Sequence, residues 1–241
     1  AHFKRLYLWT LEQRSLQEMK AFHFLDDTER AGCSWLPAAQ RAPCVILPNG
    51  LDVQALVQRL SCVPSGLVRT SVPDPKAVHL VFLGRLNEIK GLALQLEALA
   101  DLRAAGVPAH LHLIGPDDGE GPRLDSLAAT LGLAEMVHRR GPIFGDERLR
   151  WLQEADAVLL TSHYECNSMS AAETLAVGGL LVATDTCHLD KAARAGAACV
   201  VPRQRETFSH ALGELLVQLP LVTAMRTAGQ TFARQHLDWG P

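Results

Sequence analysis

The sequence predicts an α/β fold built on a doubly wound, Rossmann-like parallel sheet. From Ala77 onward, short apolar runs alternate with longer amphipathic segments about six times over roughly 150 residues, a pattern typical of repeated βαβ units. The apolar runs have the length of buried strands, and glycine or proline residues punctuate the segments between them.

The composition is that of a globular chain with a sizeable core. The 241 residues are 48% apolar and 20% charged, and 23 basic residues stand against 26 acidic ones, for a net charge of -3. This balance favours neither a nucleic-acid surface nor a strongly basic membrane face, so small molecules or proteins are the expected partners. No apolar run reaches the roughly 18 residues of a transmembrane helix. Six scattered cysteines indicate free thiols, and we expect a cytoplasmic protein.

Before Ala77 the predicted elements are shorter and less regular. Apolar residues at near-helical spacing predict a helix that ends at Lys20, and the chain begins as if within a longer protein. A short strand is predicted from Ala21 to Leu25, followed by a helix start at Asp26. A second strand, from Cys44 to Leu47, ends in a Pro-Asn-Gly turn.

The segment from Ser61 to Lys76 carries three prolines and little apolar periodicity. It predicts an inter-domain linker or a long surface loop, which we place at residues 56–76. Strands and helices then alternate. The predicted strands are Val78 to Leu83, Ala109 to Ile114, Met136 to Arg139, Ala157 to Thr161, Leu180 to Thr184 and Ala198 to Val201. The main predicted helices are Leu92 to Ala105, one that ends at Leu131, Asp146 to Glu154, one that ends at Gly178, Glu206 to Leu219 and Val222 to His236.

Two carboxylates, Glu165 and Glu173, flank a predicted strand-to-helix turn. In an open parallel sheet such a turn lies at the carboxyl edge, where ligands bind. The start of the helix offers unpaired backbone N–H groups to an anion or to sugar hydroxyls. A structural alternative is a capping box formed by Ser170 and Glu173, in which Glu173 only closes the first helical turn.

A second loop at the same edge carries cations. Gly84 and Arg85 follow a predicted strand, and Lys90 precedes a helix. Arginine grips phosphate oxygens bidentately and lysine adds a second charge, so a phosphate or diphosphate is a natural ligand; the alternative is a solvated loop. The stretch lacks the ending of a P-loop, and no Gly-x-Gly-x-x-Gly motif follows the first strand, which disfavours a kinase, an NTPase or a nicotinamide dehydrogenase.

Other chemistry is less well supported. His163-Tyr164-Glu165 matches half of a zinc deaminase signature, but the second half is missing, so no metal site is predicted. Nothing in the sequence orients Cys166 toward a base, so a bystander thiol is preferred to a nucleophile. Asp117-Asp118 resembles an acidic metal clamp, but it lies in a turn rich in glycine and proline, where aspartate is favoured for backbone bonding.

Three features together resemble the carboxy-terminal, donor-binding half of the retaining glycosyltransferases of family 4, which have the GT-B fold. They occur in the family's order and spacing from Val78 to Val201. The features are Val81-Phe82-Leu83-Gly84-Arg85-Leu86 with Lys90-Gly91; Gly141-Pro142-Ile143 leading to Ala155-Asp156; and Glu165 and Glu173, with seven residues between them, before Thr174 to Gly179. Ile46 to Asp52 resembles the family's crossing segment between its two domains.

The resemblance implies a role for each candidate residue. Arg85 and Lys90, with Gly84 beside them, would hold the donor diphosphate and stabilise the charge that develops as it leaves. Glu173 would bind the ribose hydroxyls. Backbone near Pro142 and Ile143 would meet the base. The transferred sugar would be held by Glu165 and by the backbone N–H groups of Cys166, Asn167, Ser168 and Met169. No metal and no cofactor is implied besides the nucleotide-diphosphate sugar, which is a co-substrate.

The resemblance also divides the chain. Residues 1–55 would be the tail of an acceptor-binding domain with the crossing segment, and residues 77–241 the donor-binding domain. The rest of the acceptor domain would be a partner outside this chain, so we expect the chain alone to transfer poorly or not at all. The acceptor would be a glycan, a lipid or a small molecule, and the missing half could add peripheral contact with the inner membrane face.

Some positions depart from the family pattern. Cys166 and Ser168 stand where glycines are common, Cys187-His188 where a glycine pair is frequent, and Asp190-Lys191 where Pro-Glu is frequent. These changes bear on the identity of the sugar rather than on nucleotide binding. The leading hypothesis is a retaining glycosyltransferase. A nucleotide-sugar epimerase and a non-catalytic nucleotide-sugar-binding module are the alternatives.

Overall fold

The computed structural model describes residues 15, 16, 18–36, 40, 42–72 and 74–240, and the predicted helix that ends at Lys20 lies largely outside them. The chain forms two compact units, Ala1–Asn49 and Gly50–Pro241. In the first unit, strands β1 (Phe22–Phe24) and β2 (Cys44–Ile46) form where strands were predicted, and they pair in parallel. Helix α1 (Asp27–Gly32) begins at the predicted Asp26, whose carboxylate accepts the Glu29 N–H at 2.6 Å.

The second unit contains a six-stranded parallel sheet, which confirms the predicted doubly wound α/β fold. Its strands are β3 (Val78–Leu83), β4 (Ala109–Ile114), β5 (Val137–Gly141), β6 (Ala157–Leu160), β7 (Leu181–Thr184) and β8 (Cys199–Val201). They lie in the order β5-β4-β3-β6-β7-β8. Strands β4 and β5 therefore lie on one side of β3, and β6, β7 and β8 lie on its other side. The crevice outside the carboxyl ends of β3 and β6 is the topological switch point where such sheets bind ligands.

Helices cover both faces of this sheet. They are α2 (Val53–Ser61), α3 (Leu67–Thr70), α4 (Ala93–Ala104), α5 (Gly121–Thr130), α6 (Glu147–Glu154), α7 (Met169–Val177), α8 (Asp190–Arg194), α9 (Arg205–Val217) and α10 (Leu219–His236). A hydrophobic core lies on each face of the sheet, and successive side chains of β3 enter one core and then the other, because side chains alternate along a strand. Leu80 packs with α4 and α9, and Val81 packs with α6 and α7. The two cores explain why the strands are apolar without alternation.

The predicted linker at residues 56–76 is corrected by the structure. Much of it is helical, in α2 and α3, and Leu56, Leu60 and Val68 are buried in the core beside the sheet. The α3 backbone is capped from a distance, because the Glu154 carboxylate accepts the N–H groups of Gly66 at 2.7 Å and Val68 at 3.0 Å. A cap supplied 86 to 88 residues away leaves no local signal in the sequence.

The helix pair α9 and α10 is the described part of the chain that comes nearest to a membrane span. No single helix in that part is long and apolar enough to cross a membrane. The two helices reach the required length and composition only together, and they meet at a bend of 100°.

Candidate functional site

The loops that follow β3 and β6 are bonded to each other at the switch point. The His163 N–H donates to the Ile89 carbonyl at 2.7 Å, and the Thr161 hydroxyl donates to the Gly91 carbonyl at 3.1 Å. Gly91 has a φ of 60°, and a Cβ there would lie 2.4 Å from the Thr161 carbonyl oxygen. The close approach of the two loops therefore requires glycine at this position.

The structure brings two predicted site residues into direct contact across these loops. The Lys90 ammonium lies 2.6 Å from the Glu165 carboxylate, and their side chains are 21% and 15% exposed. The same carboxylate oxygen accepts the Ser162 hydroxyl at 3.0 Å. A mostly buried cation and anion thus face each other at the ligand-binding edge of the sheet, as expected of a polar site.

Glu173 has a different role from the capping box that was the structural alternative. Helix α7 is capped by Ser168, whose hydroxyl accepts the Ala171 N–H at 3.3 Å, so Glu173 lies beyond the first turn. Its carboxylate is buried, and Oε1 accepts a hydrogen bond from Arg148 at 2.5 Å. The capping-box interpretation is wrong because Ser168, and not Ser170, stands at the N-cap.

Arg85 lies apart from this pair in the present structure. Its side chain is 68% exposed, and its guanidinium is 3.2 Å from Asp118 in the loop after β4. Among the described contacts, none joins Arg85 to Lys90 or Glu165. Asp117 fulfils its predicted turn role, since Oδ1 accepts the Gly119 N–H at 3.1 Å and the Gly121 N–H at 2.9 Å.

The remaining predicted donor-binding residues lie on loops at the carboxyl edge. Gly84 directly follows β3, and its N–H donates to the Ile114 carbonyl at 2.9 Å. Pro142 and Ile143 directly follow β5, with Pro142 exposed and Ile143 packed against the core. The turn between β6 and α7 holds Cys166, Asn167 and Ser168, and Met169 is the first residue of α7.

Sequence reasoning missed Arg148 and Arg203, and it assigned Asp118 to a turn without foreseeing its contact with Arg85. Arg203 lies two residues after β8, and its guanidinium donates to the Thr161 carbonyl at 3.2 Å and lies 3.2 Å from the His163 ring nitrogen. Its position after a strand at the same edge is a signal that could have identified it. Arg203 and His163 line a charged cleft of about 560 Å³ beside the loop contact.

Cys187 and His188, which depart from the family pattern, make separate contacts. The Cys187 thiol is buried and donates to the Leu160 carbonyl at 3.4 Å, and burial raises its pKa, which disfavours a thiolate. His188 contacts the Tyr164 ring edge to face, with centroids 5.7 Å apart. Within the described residues, no group of three or more His, Cys, Asp or Glu side chains is arranged to hold a metal ion. Cys33, Cys62, Cys187 and Cys199 are free thiols.

Comparison with known families gives a match over most of the second unit. Residues 77–218 match the family described as "Glycosyl transferases group 1". A D-inositol 3-phosphate glycosyltransferase of Geodermatophilus obscurus is 32% identical over 168 residues, which cover 66% of this chain and 36% of that protein. The enzyme of the same name from Actinosynnema mirum is 29% identical over 211 residues, which cover 84% of this chain and 49% of that protein. The chain thus spans half or less of the length of these relatives.

Solved structures share the fold. Anabaena Alr3699/HepE, in complex with UDP and glucose, superposes with a TM-score of 0.80 at 18% identity, over 98% of this chain and 64% of that one. At this identity the likeness concerns the fold alone, and it places the six-stranded sheet among GT-B glycosyltransferase structures.

Proposed function

Because this chain belongs to the group 1 glycosyl transferases, we propose that it is the donor-binding part of a retaining glycosyltransferase of family 4. The donor would be a nucleotide-diphosphate sugar. The proposal includes the retaining course of transfer, the assignment to family 4 and the carboxy-terminal position in a GT-B enzyme. It also includes the acceptor, a cytoplasmic location and any peripheral contact with the inner membrane face.

The Lys90–Glu165 pair carries the proposal. It joins the loops after β3 and β6 at the switch point, and the two side chains are mostly buried only 2.6 Å apart. In glycosyl transfer the diphosphate gains negative charge as the bond to the sugar breaks. A fixed ammonium close to that charge lowers the barrier, and a side-chain cation can take over the role of a metal ion.

In this scheme Glu165 is the contact to the transferred sugar. Its carboxylate lies beside Lys90 and at the beginning of the turn that leads into α7. The N–H groups at the start of that helix add partial positive charge and donors for sugar oxygens, contributed by the segment from Cys166 to Met169. The donor would therefore place its diphosphate next to Lys90 and its sugar across the α7 start.

Arg85 would join the diphosphate site by exchanging partners. Its guanidinium is exposed and pairs with the half-exposed Asp118 at 3.2 Å, which is a weak, solvent-screened pair. A diphosphate carries more charge than one carboxylate and accepts the planar fork of arginine bidentately. Binding of the donor would then draw Arg85 away from Asp118.

The nucleoside would lie along the loops after β5 and β6. Pro142 and Ile143 stand directly after β5, where backbone groups could meet the base. Glu173 would receive the ribose hydroxyls on its buried carboxylate. UDP and glucose are bound by HepE, whose fold this chain shares, and that observation supports a nucleotide sugar as the ligand here.

Titration with nucleotides tests the proposal. UDP, GDP and ADP and their glucose or mannose conjugates are titrated calorimetrically against the wild-type chain and against an Arg85→Ala, Lys90→Ala double variant. We expect at least one nucleotide to bind and the double variant to lose about tenfold or more in affinity, because two charge-assisted contacts to the diphosphate are removed.

A charge-matched control separates this effect from a general loss of positive charge. Lys76→Ala with Arg103→Ala removes two exposed cations, Lys76 before β3 and Arg103 in the last turn of α4, and should leave affinity unchanged. Absence of binding by every nucleotide would refute nucleotide-sugar recognition. Equal binding by wild type and by the Arg85, Lys90 variant would refute the diphosphate role of these cations.

A further inference from the structure

Arg148 connects two parts of the candidate donor site. It is the second residue of α6, and its guanidinium donates to the Gly145 carbonyl at 2.5 Å and to Glu173 Oε1 at 2.5 Å. Gly145 belongs to the loop after β5, in which Pro142 and Ile143 are the candidate base contacts, and Glu173 is the candidate ribose contact. One side chain therefore joins the segment that would meet the base to the carboxylate that would meet the ribose.

From this geometry we infer that Arg148 is a positioning residue that orients the Glu173 carboxylate for the ribose of the nucleotide. The inference rests on the proposed function. Glu173 has a side chain that is only 11% exposed, and a carboxylate buried to this degree needs an opposite charge. Arg148, 25% exposed, provides that charge.

The two carboxylate oxygens of Glu173 differ in their hydrogen bonds, and this difference supports the inference. Oε1 is taken by Arg148, while Oε2 has no hydrogen-bond partner among the residues that the structure describes. A carboxylate accepts several hydrogen bonds when ionised, so Oε2 is available to ribose hydroxyls. The planar guanidinium, fixed at Gly145 as well, limits rotation of the carboxylate and keeps that oxygen in one orientation.

Discrimination between ribose and deoxyribose measures this role directly. UDP, GDP and ADP and their 2′-deoxy counterparts are titrated against the wild-type chain, and the ratio of the two dissociation constants is taken for each base that binds. We expect wild type to prefer the ribonucleotide about tenfold or more, as a hydrogen bond to a charged group requires. In Arg148→Gln the preference should fall below about threefold, because the carboxylate is no longer oriented.

Two further variants separate positioning from folding. Arg148→Lys keeps the charge beside Glu173 but cannot reproduce the planar fork, and we expect an intermediate ratio. Arg59→Gln removes another arginine pair at the start of the same helix, 2.8 Å from Asp146, and should keep the wild-type ratio. The ratio is insensitive to a uniform loss of affinity or of folded protein, and thermal unfolding of each variant confirms the fold.

The outcomes are distinct. A full ribonucleotide preference in Arg148→Gln, or equal binding of ribo- and deoxyribonucleotides by wild type, would overturn the positioning role and leave nucleotide recognition standing. If wild type binds no nucleotide of either kind, the proposed function fails and this inference fails with it.

Discussion

Two regions of the same sheet bury polar side chains by opposite means. At the carboxyl edge, Lys90 with Glu165 and Arg148 with Glu173 are buried as pairs of opposite charge. On one face of the sheet, strands β3, β4 and β5 bury a cluster of imidazoles instead, which we call the histidine stack. Its members are His79, His110, His112 and His138.

Strand register creates the histidine stack. His79 stands opposite His110, and His112 stands opposite His138, so all four side chains project from one face. Their ring centroids lie 4.9 to 5.7 Å apart, and ring nitrogens approach at 3.0 Å between His79 and His112 and at 3.1 Å between His110 and His138. Arg140 Nε lies 3.3 Å from the His112 ring.

Burial and a nearby cation favour the neutral form of His112 and of His138. Burial first, and then Arg140 and the neighbouring histidines, lower the pKa of His112 to about 2 and that of His138 to about 4. The contrast shows what each arrangement permits. A charge pair at a sheet edge can exchange one partner for a charged ligand, whereas neutral imidazoles such as those of His112 and His138 have no charge to exchange and serve packing.

Introducing a charge into the stack should have the largest effect. In His112→Lys an ammonium replaces a ring that is 0% exposed and lies beside Arg140. We expect the free energy of unfolding to fall by about 3 kcal/mol or more, because a buried charge without a counter-charge is among the most destabilising changes. Urea denaturation at pH 7.5, followed by circular dichroism, measures it.

The matched control is His110→Lys. His110 belongs to the same stack but is only partly buried, so the lysine stem can carry its ammonium to water. We expect a loss at least about 1 kcal/mol smaller than for His112→Lys. Equal losses in the two variants would show that burial of His112 is not what distinguishes the stack.

Acid should destabilise the protein through the same rings. Histidines of the unfolded chain take up protons near pH 6.5, while folded His112 does so only near pH 2, so the unfolded state binds more protons between these values. Stability should therefore fall as the pH drops below about 6.5, by roughly 1 kcal/mol per pH unit for His112. Urea denaturation midpoints measured at several pH values from 7.5 down to 5 test this expectation. Most carboxylates take up protons only below this range.

Replacing the ring isolates its share of the pH dependence. His112→Gln keeps a polar side chain that does not titrate, and we expect a shallower fall in stability from pH 7.5 to pH 5 than in wild type. The wild-type slope would persist unchanged in this variant if other groups were responsible for it.

The two regions also differ in how far the sequence predicts them. Apolar runs such as the one over Val78–Leu83 identify the strands, and parallel strands place the loops that follow them at one edge, so Lys90 and Glu165 were assigned to the same edge correctly. Their direct contact depends on β3 and β6 being neighbours, and the alternation of elements leaves strand order open.

The histidine stack and the Arg148–Glu173 pair depend on information of still longer range. His138 lies 28 residues from its partner His110, and their contact follows from the register of β4 against β5. Arg148 reaches Glu173 because α6 packs beside α7. Local patterns contain neither register nor helix packing, so both were missed.

Removing the edge pair should have the smallest effect on stability. In Lys90→Met with Glu165→Gln both charges disappear together, and no buried charge is left unpaired. We expect the free energy of unfolding to stay within about 1 kcal/mol of wild type, because the attraction lost is offset by the desolvation no longer required. Each single variant should be less stable than the double variant, since it leaves one partner alone.

Urea denaturation of the three variants completes the contrast with the stack. A double variant close to wild type that has also lost nucleotide binding would show that these charges are retained for a ligand rather than for the fold. A double variant destabilised as strongly as His112→Lys would mean that the edge pair supports the structure in the way the stack does, and the distinction between the two regions would then fall.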